Sequence, residues 1–569
     1  MKPGSKKSLY LLVAAALMAG TAAADEKEDR FQWNTVVNNN DMMPPLGIRN
    51  FNSYNQPSVN LNGVVVIRAR SRGGPPLGPP THGIYVRDMS AEGNEIRMVL
   101  DKTTLVPGPN NLNSTFVETP SFPRIDMSSD TIATRGNHQP VYRYYLDDGS
   151  ETRAGTTGIY TNPYGELITG AAKLGHVPDF GFLGVPEYGD IMFEVFPGAP
   201  SVTGGNTIAF KGNYTAAGFS KTGVYFRHLL PETAGGNAPS IMIASSDTLI
   251  PGTGTSFGST APPNAAGRKV VFAGFDDEDN PSKGGIYLAP LQYMPPLTTL
   301  VSIGQSVPGI AGKHGFNALG EGLAFDGRYV GFWGAWGNDT RTVRLYCPQE
   351  GNKDRIAYCN QELVCEGTEE PIGDPNSICD ESDPNNGKIC YTEREVPVNQ
   401  GIFAHNIRTR KTHLVAQTGE PFDDFLFWNY SGKAPCTGGG HAEEGGEDDA
   451  ESVRWRASAF VAVSSGHGAK FRSAFKARSS ASLNQTYVDP VDGIYLRRES
   501  GPSRFFTVVD TTMSGRRLDP EAPADSRILE VGIEREGLRG RWLTINAKMG
   551  YEGGEEEDDM AGIYITELQ

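Results

Sequence analysis

The tripeptide Gly-Ile/Val-Tyr/Phe occurs seven times, ending at Tyr85, Tyr160, Tyr225, Tyr287, Phe403, Tyr495 and Tyr564, with successive aromatics 62 to 116 residues apart. Each copy has the same surroundings. Upstream lies a β-branched or aromatic run: Val64 to Ile67, Thr131 to Thr134, Thr207 to Phe210, Lys269 to Phe272, Tyr329 to Trp333, Arg472 to Lys476 and Trp542 to Ile545. Downstream come a second apolar run, then a proline (Pro107, Pro178, Pro251, Pro308, Pro421, Pro520) and usually a Phe (Phe116, Phe180, Phe257, Phe316, Phe422). Short runs of this kind bounded by turn residues are strand signals. Proline has no N–H for a ladder, so its recurrence marks where the chain leaves a sheet. Each unit reads as four strands, A to D, with the tripeptide on strand C. Four-stranded sheets repeated radially form a β-propeller, whereas sandwiches of about 100 residues each do not fit the shorter spacings of 62 to 75 residues. The expectation is an all-β, seven-bladed β-propeller occupying residues 25–569 as a single domain.

The two chain ends complement each other. The last tripeptide is followed only by Ile565 to Gln569, so unit seven lacks a strand D. Residues Phe31 to Val37, ahead of Pro44, Pro45 and Phe51, read as a strand D without a preceding C. The N-terminal strand is therefore expected to complete the seventh blade as its outer strand, removing two free edges.

The pattern Ile208-Ala209-Phe210-Lys211-Gly212 to Val224-Tyr225, repeated as Val270-Val271-Phe272-Ala273-Gly274 to Ile286-Tyr287, resembles the TolB-type and related exported bacterial propeller repeats. The resemblance covers nearly the whole mature chain and implies a propeller of the cell envelope. The SPDG turn of TolB-like blades is absent; its nearest counterpart is Phe325-Asp326-Gly327-Arg328.

Residues 1–24 carry Lys2, Lys6 and Lys7, an apolar run from Leu9 to Ala19, and Ala22-Ala23-Ala24 before Asp25. This is a secretory signal with an A-x-A cleavage site, too short in its apolar part to span a bilayer. An exported protein, periplasmic or extracellular and without a membrane span, is expected. In that compartment the six cysteines, Cys347, Cys359, Cys365, Cys379, Cys390 and Cys436, read as disulfides, in any of 15 pairings. Five of them lie in a disulfide-rich insertion, 338–399, between strands B and C of blade five, and Cys436 lies in the next D-to-A connection.

B-to-C and D-to-A connections emerge on one face of a propeller. That face receives the insertion and three acidic runs: Asp276, Asp277, Glu278 and Asp279; Glu443, Glu444, Glu447, Asp448, Asp449 and Glu451; and Glu552, Glu555, Glu556, Glu557, Asp558 and Asp559. The full chain carries −16 and loses three lysines with the signal; without the 16 carboxylates of the acidic runs the mature chain carries −3, so the acidity belongs to one face. A surface of this sign repels nucleic acid. Clustered oxygen ligands in an extracellular setting point to Ca²⁺, with Asp276, Asp277, Glu278, Asp279, Glu555, Glu556, Asp558 and Asp559 as candidate ligands.

No G-x-S-x-G elbow, HExxH helix, Walker loop or dinucleotide fingerprint is present. His82, His138, His176, His314 and His441 map to the same face or its approach. Trp333, Trp336, Trp428, Tyr430 and Trp455, in units five and six, are expected to pack in the core or between blades. Together these features lead to a monomeric, non-catalytic binding module for a protein or polysaccharide, calcium-associated. The alternative is a metal-dependent hydrolase or lyase acting on a glycan, lactone or ester through the histidines and carboxylates of the face.

Overall fold

In a computed structural model of the protein, the described residues are 31–569 apart from 75, 77, 92, 121, 232–237, 349–355, 357, 360–363, 366–389, 420, 432–453, 467–469, 480–489, 499–504 and 552–558. The predicted signal at 1–24 lies outside them. Seven sheets pair in the order A-B-C-D. Strand B is Val64–Ser71, Ile132–His138, Thr207–Ala216, Lys269–Phe275, Tyr329–Trp336, Arg472–Ser479 and Trp542–Gly550 in blades one to seven. Strand C, carrying the tripeptide, is His82–Asp88, Thr157–Thr161, Phe219–His228, Gly284–Pro290, Gln400–Asn406, Val491–Arg498 and Met560–Glu567. The expected closure is present. Trp33–Asn38 pairs antiparallel with strand C of blade seven, Trp33 opposite Thr566 and Asn38 opposite Gly562. Asp519, buried in the D-to-A connection before blade seven, fixes this strand by accepting hydrogen bonds from Thr35 Oγ1 (3.2 Å) and Asn38 Nδ2 (3.0 Å).

The register explains why the tripeptide recurs. Its glycine stands opposite a Gly or Ala of strand B in every blade: Ala69, Gly136, Gly212, Gly274, Gly334, Ala477 and Ala547. Two bare positions side by side leave a trough. The tripeptide aromatic lies over its own glycine, and in blades one to six a Phe from the preceding segment enters edge-on. Ring centroids are 5.0 Å apart for Phe51 and Tyr85, 4.9 Å for Phe116 and Tyr160, 4.9 Å for Phe193 and Tyr225, and 5.2 Å for Phe257 and Tyr287. The pairs Phe316 with Phe403 and Phe422 with Tyr495 repeat this at 5.0 and 4.8 Å. A side chain on the tripeptide glycine would strike the strand D carbonyl or the tyrosine ring; at Gly158 the Ala171 oxygen would stand 2.7 Å away. Strand D carries one extra residue opposite the last two residues of the tripeptide in all seven blades, a bulge that increases the local twist.

Phe180 does not fill the trough of blade three. It lies in the 3-10 turn Pro178–Leu183 and packs against Tyr142 at 4.8 Å, and Phe193 takes the trough. Tyr142 belongs to an added hairpin, Tyr142–Tyr145 with Glu151–Ala154, which occupies the space beside that turn.

The innermost segments adjoin in a complete circle: Ser58–Val59, Arg124–Ile125, Ser201–Thr203, Asn264–Ala266, Ala324–Phe325, Val461–Ser464 and Leu538–Arg539. A ring of hydrogen bonds follows them from blade to blade. Asn60 Nδ2 donates to the Ser129 carbonyl, Gly205 N to Asp126, Ala265 N to Ser201 Oγ, Asn264 Nδ2 to the Leu323 carbonyl, Ser465 Oγ to Asp326, Gly540 N to Ser464 Oγ, and Val59 N to the Glu536 carbonyl. Arg124 and Glu534 add a fully enclosed ion pair at 2.8 Å that reaches from blade two to blade seven across blade one. Burial acts against the Glu534 charge, but Arg124 and Arg535 outweigh it and hold the carboxyl at about 2.

Candidate functional site

The B-to-C and D-to-A connections share one face, as strand order requires. The insertion in blade five rises there as an antiparallel pair, Thr340–Tyr346 with Cys390–Pro397, joined by Val364–Cys365. Cys347 and Cys359 form a disulfide, and Cys390 is disulfide-bonded as well. Cys379 and Cys436 lie outside the described residues. The expected adjacency of this lobe to the loop before blade six is present. Val343, Leu345 and Val396 pack on Trp428 and Trp455 of the hairpin Phe427–Ser431 with Arg454–Ser458, and Cys347, Cys359 and Cys390 pack on Tyr430 and Trp455. Arg341 pairs with the buried Asp424 at 2.6 Å. Trp333 and Trp336 are buried in blade five, Trp333 donating to Gln400 at 3.1 Å. These aromatics serve packing.

The candidate histidines occupy separate intervals of the ring. His82, in blade one, is buried and paired with Thr119 Oγ1 at 3.3 Å; burial, with the charges of Arg68 and Arg70, pulls it down to about 4. His138, in blade two, is buried between the Tyr160 hydroxyl and the Gln139 carbonyl, and burial lowers it to about 4. His176 is half-buried against Tyr144, and burial lowers it too. His314 is exposed in the connection before blade five. His441 lies outside the described residues.

Two of the acidic runs, 443–451 and 552–558 with Glu555, Glu556 and Asp558, also lie outside the described residues. Asp559 pairs with Lys548 at 2.9 Å. Asp276 accepts from the Ser282 and Lys283 amides at 2.9 and 2.8 Å, and Asp277 from Asp279 N and Asn280 N, so both carboxylates close their own turn. Among the described residues, no three His, Cys, Asp or Glu side chains stand together closely enough to hold a metal ion.

A set of charged side chains from four blades influences one another electrostatically. Strand B residues alternate sides. The side opposite the aromatic trough carries Arg68, Arg135, Lys211, Ala273, Trp333, Lys476 and Asn546, the residue after each aromatic or β-branched anchor. Lys211 of blade three is buried, and its ammonium meets the field of Glu321, Glu278 and Arg456. Glu321 lies in the bend between Phe316–Leu319 and Ala324–Phe325, on the inner side of blade five. Glu278 comes from the B-to-C connection of blade four, and Arg456 from the hairpin before blade six. Glu321 is accessible to water, with protein packed around it. Burial pushes its carboxyl above the ordinary range; Lys211 and Arg456 pull down, and Glu278 pushes further up. Burial lowers Lys211 in turn, with Arg456 adding to this and both carboxylates opposing it. Opposed shifts in neighbouring groups within a cleft are a mark of sites that handle protons.

No protein-family model and no curated protein matches the chain. Among solved structures it is similar to the polysaccharide lyase Uly1, at 10% identity over 51% of this chain and 56% of that one, with a TM-score of 0.27. It is also similar to Zg3597, a family 117 glycoside hydrolase produced by the marine bacterium Zobellia galactanivorans (13% identity, 57% and 86% covered, TM-score 0.24). A third is fructan 1-exohydrolase IIa from Cichorium intybus (9% identity, 95% and 97% covered, TM-score 0.25). The chain spans little more than half of the lyase. Likeness of this degree transfers neither a site nor an activity. The molecule is a closed seven-bladed propeller, and its function is read from its own channel and face.

Proposed function

We propose that the protein is exported and acts on a glycan at the decorated mouth of its channel, with Glu321 as the proton donor. The observation that supports this reading is the electrostatic influence that Lys211, Glu278 and Arg456, drawn from three other blades, exert on Glu321, whose carboxyl burial pushes above its ordinary range. A carboxyl raised by burial is suited to protonating a departing glycosidic oxygen, while a second carboxylate acts as base or nucleophile. Glu278 is the second carboxylate. Lys211 and Arg456 hold hydroxyl or carboxylate groups of the sugar. This is the hydrolase or lyase expectation with carboxylates in place of a metal and histidines. The N-terminal leader and the Cys347–Cys359 disulfide suit an exported chain, and the repeat-level resemblance to TolB-type propellers concerns the scaffold.

The test is product release from a panel of neutral and uronate polysaccharides, followed by Glu321→Gln. The expected result is a fall in kcat of about 10³-fold with ligand binding retained. Turnover unchanged in folded Glu321→Gln overturns the reading.

A second reading, a calcium-associated binding module without turnover, is favoured by the described face histidines His82 and His138, which are engaged in local hydrogen bonds. In that reading the acidic connections of blades four and seven supply the calcium oxygens. Binding of a polysaccharide or protein without turnover, together with a calcium-dependent rise in Tm reversed by chelation, supports it.

A further inference from the structure

The innermost strand of each blade runs from its D-to-A connection on the decorated face towards its A-to-B turn on the opposite face, and it ends in the circle of segments from Ser58–Val59 to Leu538–Arg539. Strand residues alternate sides, so a water-filled axis would leave every second residue of these segments open to solvent. None is open. Across the seven segments no residue is more than 5% exposed, polar ones such as Ser58, Thr203 and Asn264 included. Long charged side chains occupy the hub. Arg124 crosses blade one, passing Ser58 Oγ at 3.4 Å, to reach Glu534 at 2.8 Å. Arg539 stands 3.6 Å from Glu536 and donates to the Val463 carbonyl at 3.5 Å. Ion pairs lining an open passage would be hydrated, and these are enclosed, so the axis is shut at the level of the circle.

Two or three residues ahead of these segments, towards the decorated face, the burial gives way. Glu321 and Gly322 are exposed in blade five, and Gln56, Phe122, Pro262 and Phe460 are half-buried in the corresponding places of blades one, two, four and six. Solvent therefore enters from the decorated face as far as these bends and stops below them. The same face is raised on several sides: by Thr340–Tyr346 with Cys390–Pro397 in blade five, by Phe427–Ser431 with Arg454–Ser458 before blade six, and by Tyr142–Tyr145 with Glu151–Ala154 in blade two.

We propose that Glu321 stands in a blind axial well, and that this well admits only the end of a glycan chain. The second half of the proposal rests on the glycan reading above. A chain cannot thread the ring, so whatever reaches Glu321 enters and leaves by one mouth. An internal stretch of polymer would span the raised walls, with its linkages held above the carboxyl, whereas a chain end can descend between them. In hydrolysis at such an end, the bond between the anomeric carbon of the terminal unit and the glycosidic oxygen breaks; Glu321 gives that oxygen its proton, and water supplies the hydroxyl of the released unit.

Thiol labelling of the full chain with a methanethiosulfonate reagent tests the closed axis, the parent serving as blank. Ser58→Cys, in the circle, is compared with Gly322→Cys, where an added side chain meets only the Ala459 carbonyl at 3.6 Å. Ser58→Cys is expected to react at least about 100-fold more slowly, through local opening alone; equal rates overturn the blind well. Should Ser58→Cys fail to fold, Ala265→Cys takes its place. The chain-end assignment is read from the products of any neutral or uronate polysaccharide that is turned over. Monosaccharide or disaccharide is expected from the first minutes, with the mean size of the polymer falling slowly, and an early collapse of polymer size overturns it. Unchanged turnover in Glu321→Gln, or none on any polysaccharide, removes the glycan reading and the chain-end assignment with it, while the thiol rates alone decide whether the well is blind.

Discussion

The two sides of strand B are built to different rules. On one side the seven blades nearly coincide: an aromatic or β-branched anchor, then Gly or Ala, facing the tripeptide aromatic and its glycine. On the other side the same register position holds Arg68, Arg135, Lys211, Ala273, Trp333, Lys476 and Asn546. Contact with a fixed trough leaves one steric solution, so the first side repeats. The second side meets a different neighbour in each interval, and there the chain places charges. Arg68 donates to Asn55 Oδ1 at 2.9 Å and stands 3.9 Å from Glu118. Lys476 stands 3.6 Å from Asp492 and 4.0 Å above the Phe427 ring. Lys211 alone of these is placed by its neighbours in the Glu321 set. Repetition reports the scaffold, and departure from repetition locates the site.

The comparison breaks most decisively at a tripeptide glycine. Gly285→Val drives a side chain into the Val301 carbonyl, and the expected loss exceeds about 4 kcal/mol, read as absence of a cooperative thermal transition. Next in size is Glu534→Ala, which leaves the enclosed Arg124 without its partner. Denaturant unfolding is expected to show a loss of about 3 to 5 kcal/mol. Phe257→Leu removes an edge-on ring from the trough of blade four, with an expected loss of about 1 to 2 kcal/mol. On the variable side the order reverses. Lys211→Met, roughly conserving volume, is expected to change stability by less than about 1.5 kcal/mol while abolishing turnover. A large stability loss there would erase the distinction between the two sides.

Acid supplies the most graded effect. His82, His138 and His405 are buried and lowered from 6.5 to about 4, burial being the main cause in each. The unfolded chain takes up their protons first. Stability from these groups is therefore complete above about pH 6.5 and is lost as pH falls towards 4. Glu534 contributes in a lower window: its stabilisation is present above its unfolded value near 4.5 and is lost as pH falls through about 2. Thermal scans from pH 7 to 4 should show a falling Tm, with a shallower slope in His138→Gln.

The ring, its closure by Trp33–Asn38 and the shared face of the insertions were legible because each rests on a local pattern that recurs with the chain. Phe180 departs from the other Phe residues that follow the prolines because the connection after blade two is long and carries Phe180, Phe182, Phe193 and Phe196; Phe180 packs on the added hairpin and Phe193 takes the trough. Glu321 gave no signal. It sits singly between Gly320 and Gly322, and its meaning comes from Lys211, Glu278 and Arg456, brought from three other blades only when the circle forms. The sequence does hold a usable trace of Lys211: a charge in a slot that blades four and five fill with Ala273 and Trp333. For the histidines, proximity to a face in the sequence does not separate an exposed side chain such as His314 from a buried one such as His138.

The pairing of Trp33–Asn38 with Met560–Glu567 joins segments more than 500 residues apart, while strands B and C of most blades pair within a few dozen residues. Loop closure over so long a span is slow compared with hairpin formation. The blades can therefore assemble one after another as the chain emerges, whereas the ring waits for its last strand. Until then the first strand has no partner and the last blade has an open edge. A circle completed only by its last strand gains its rigidity as a whole, in one late step.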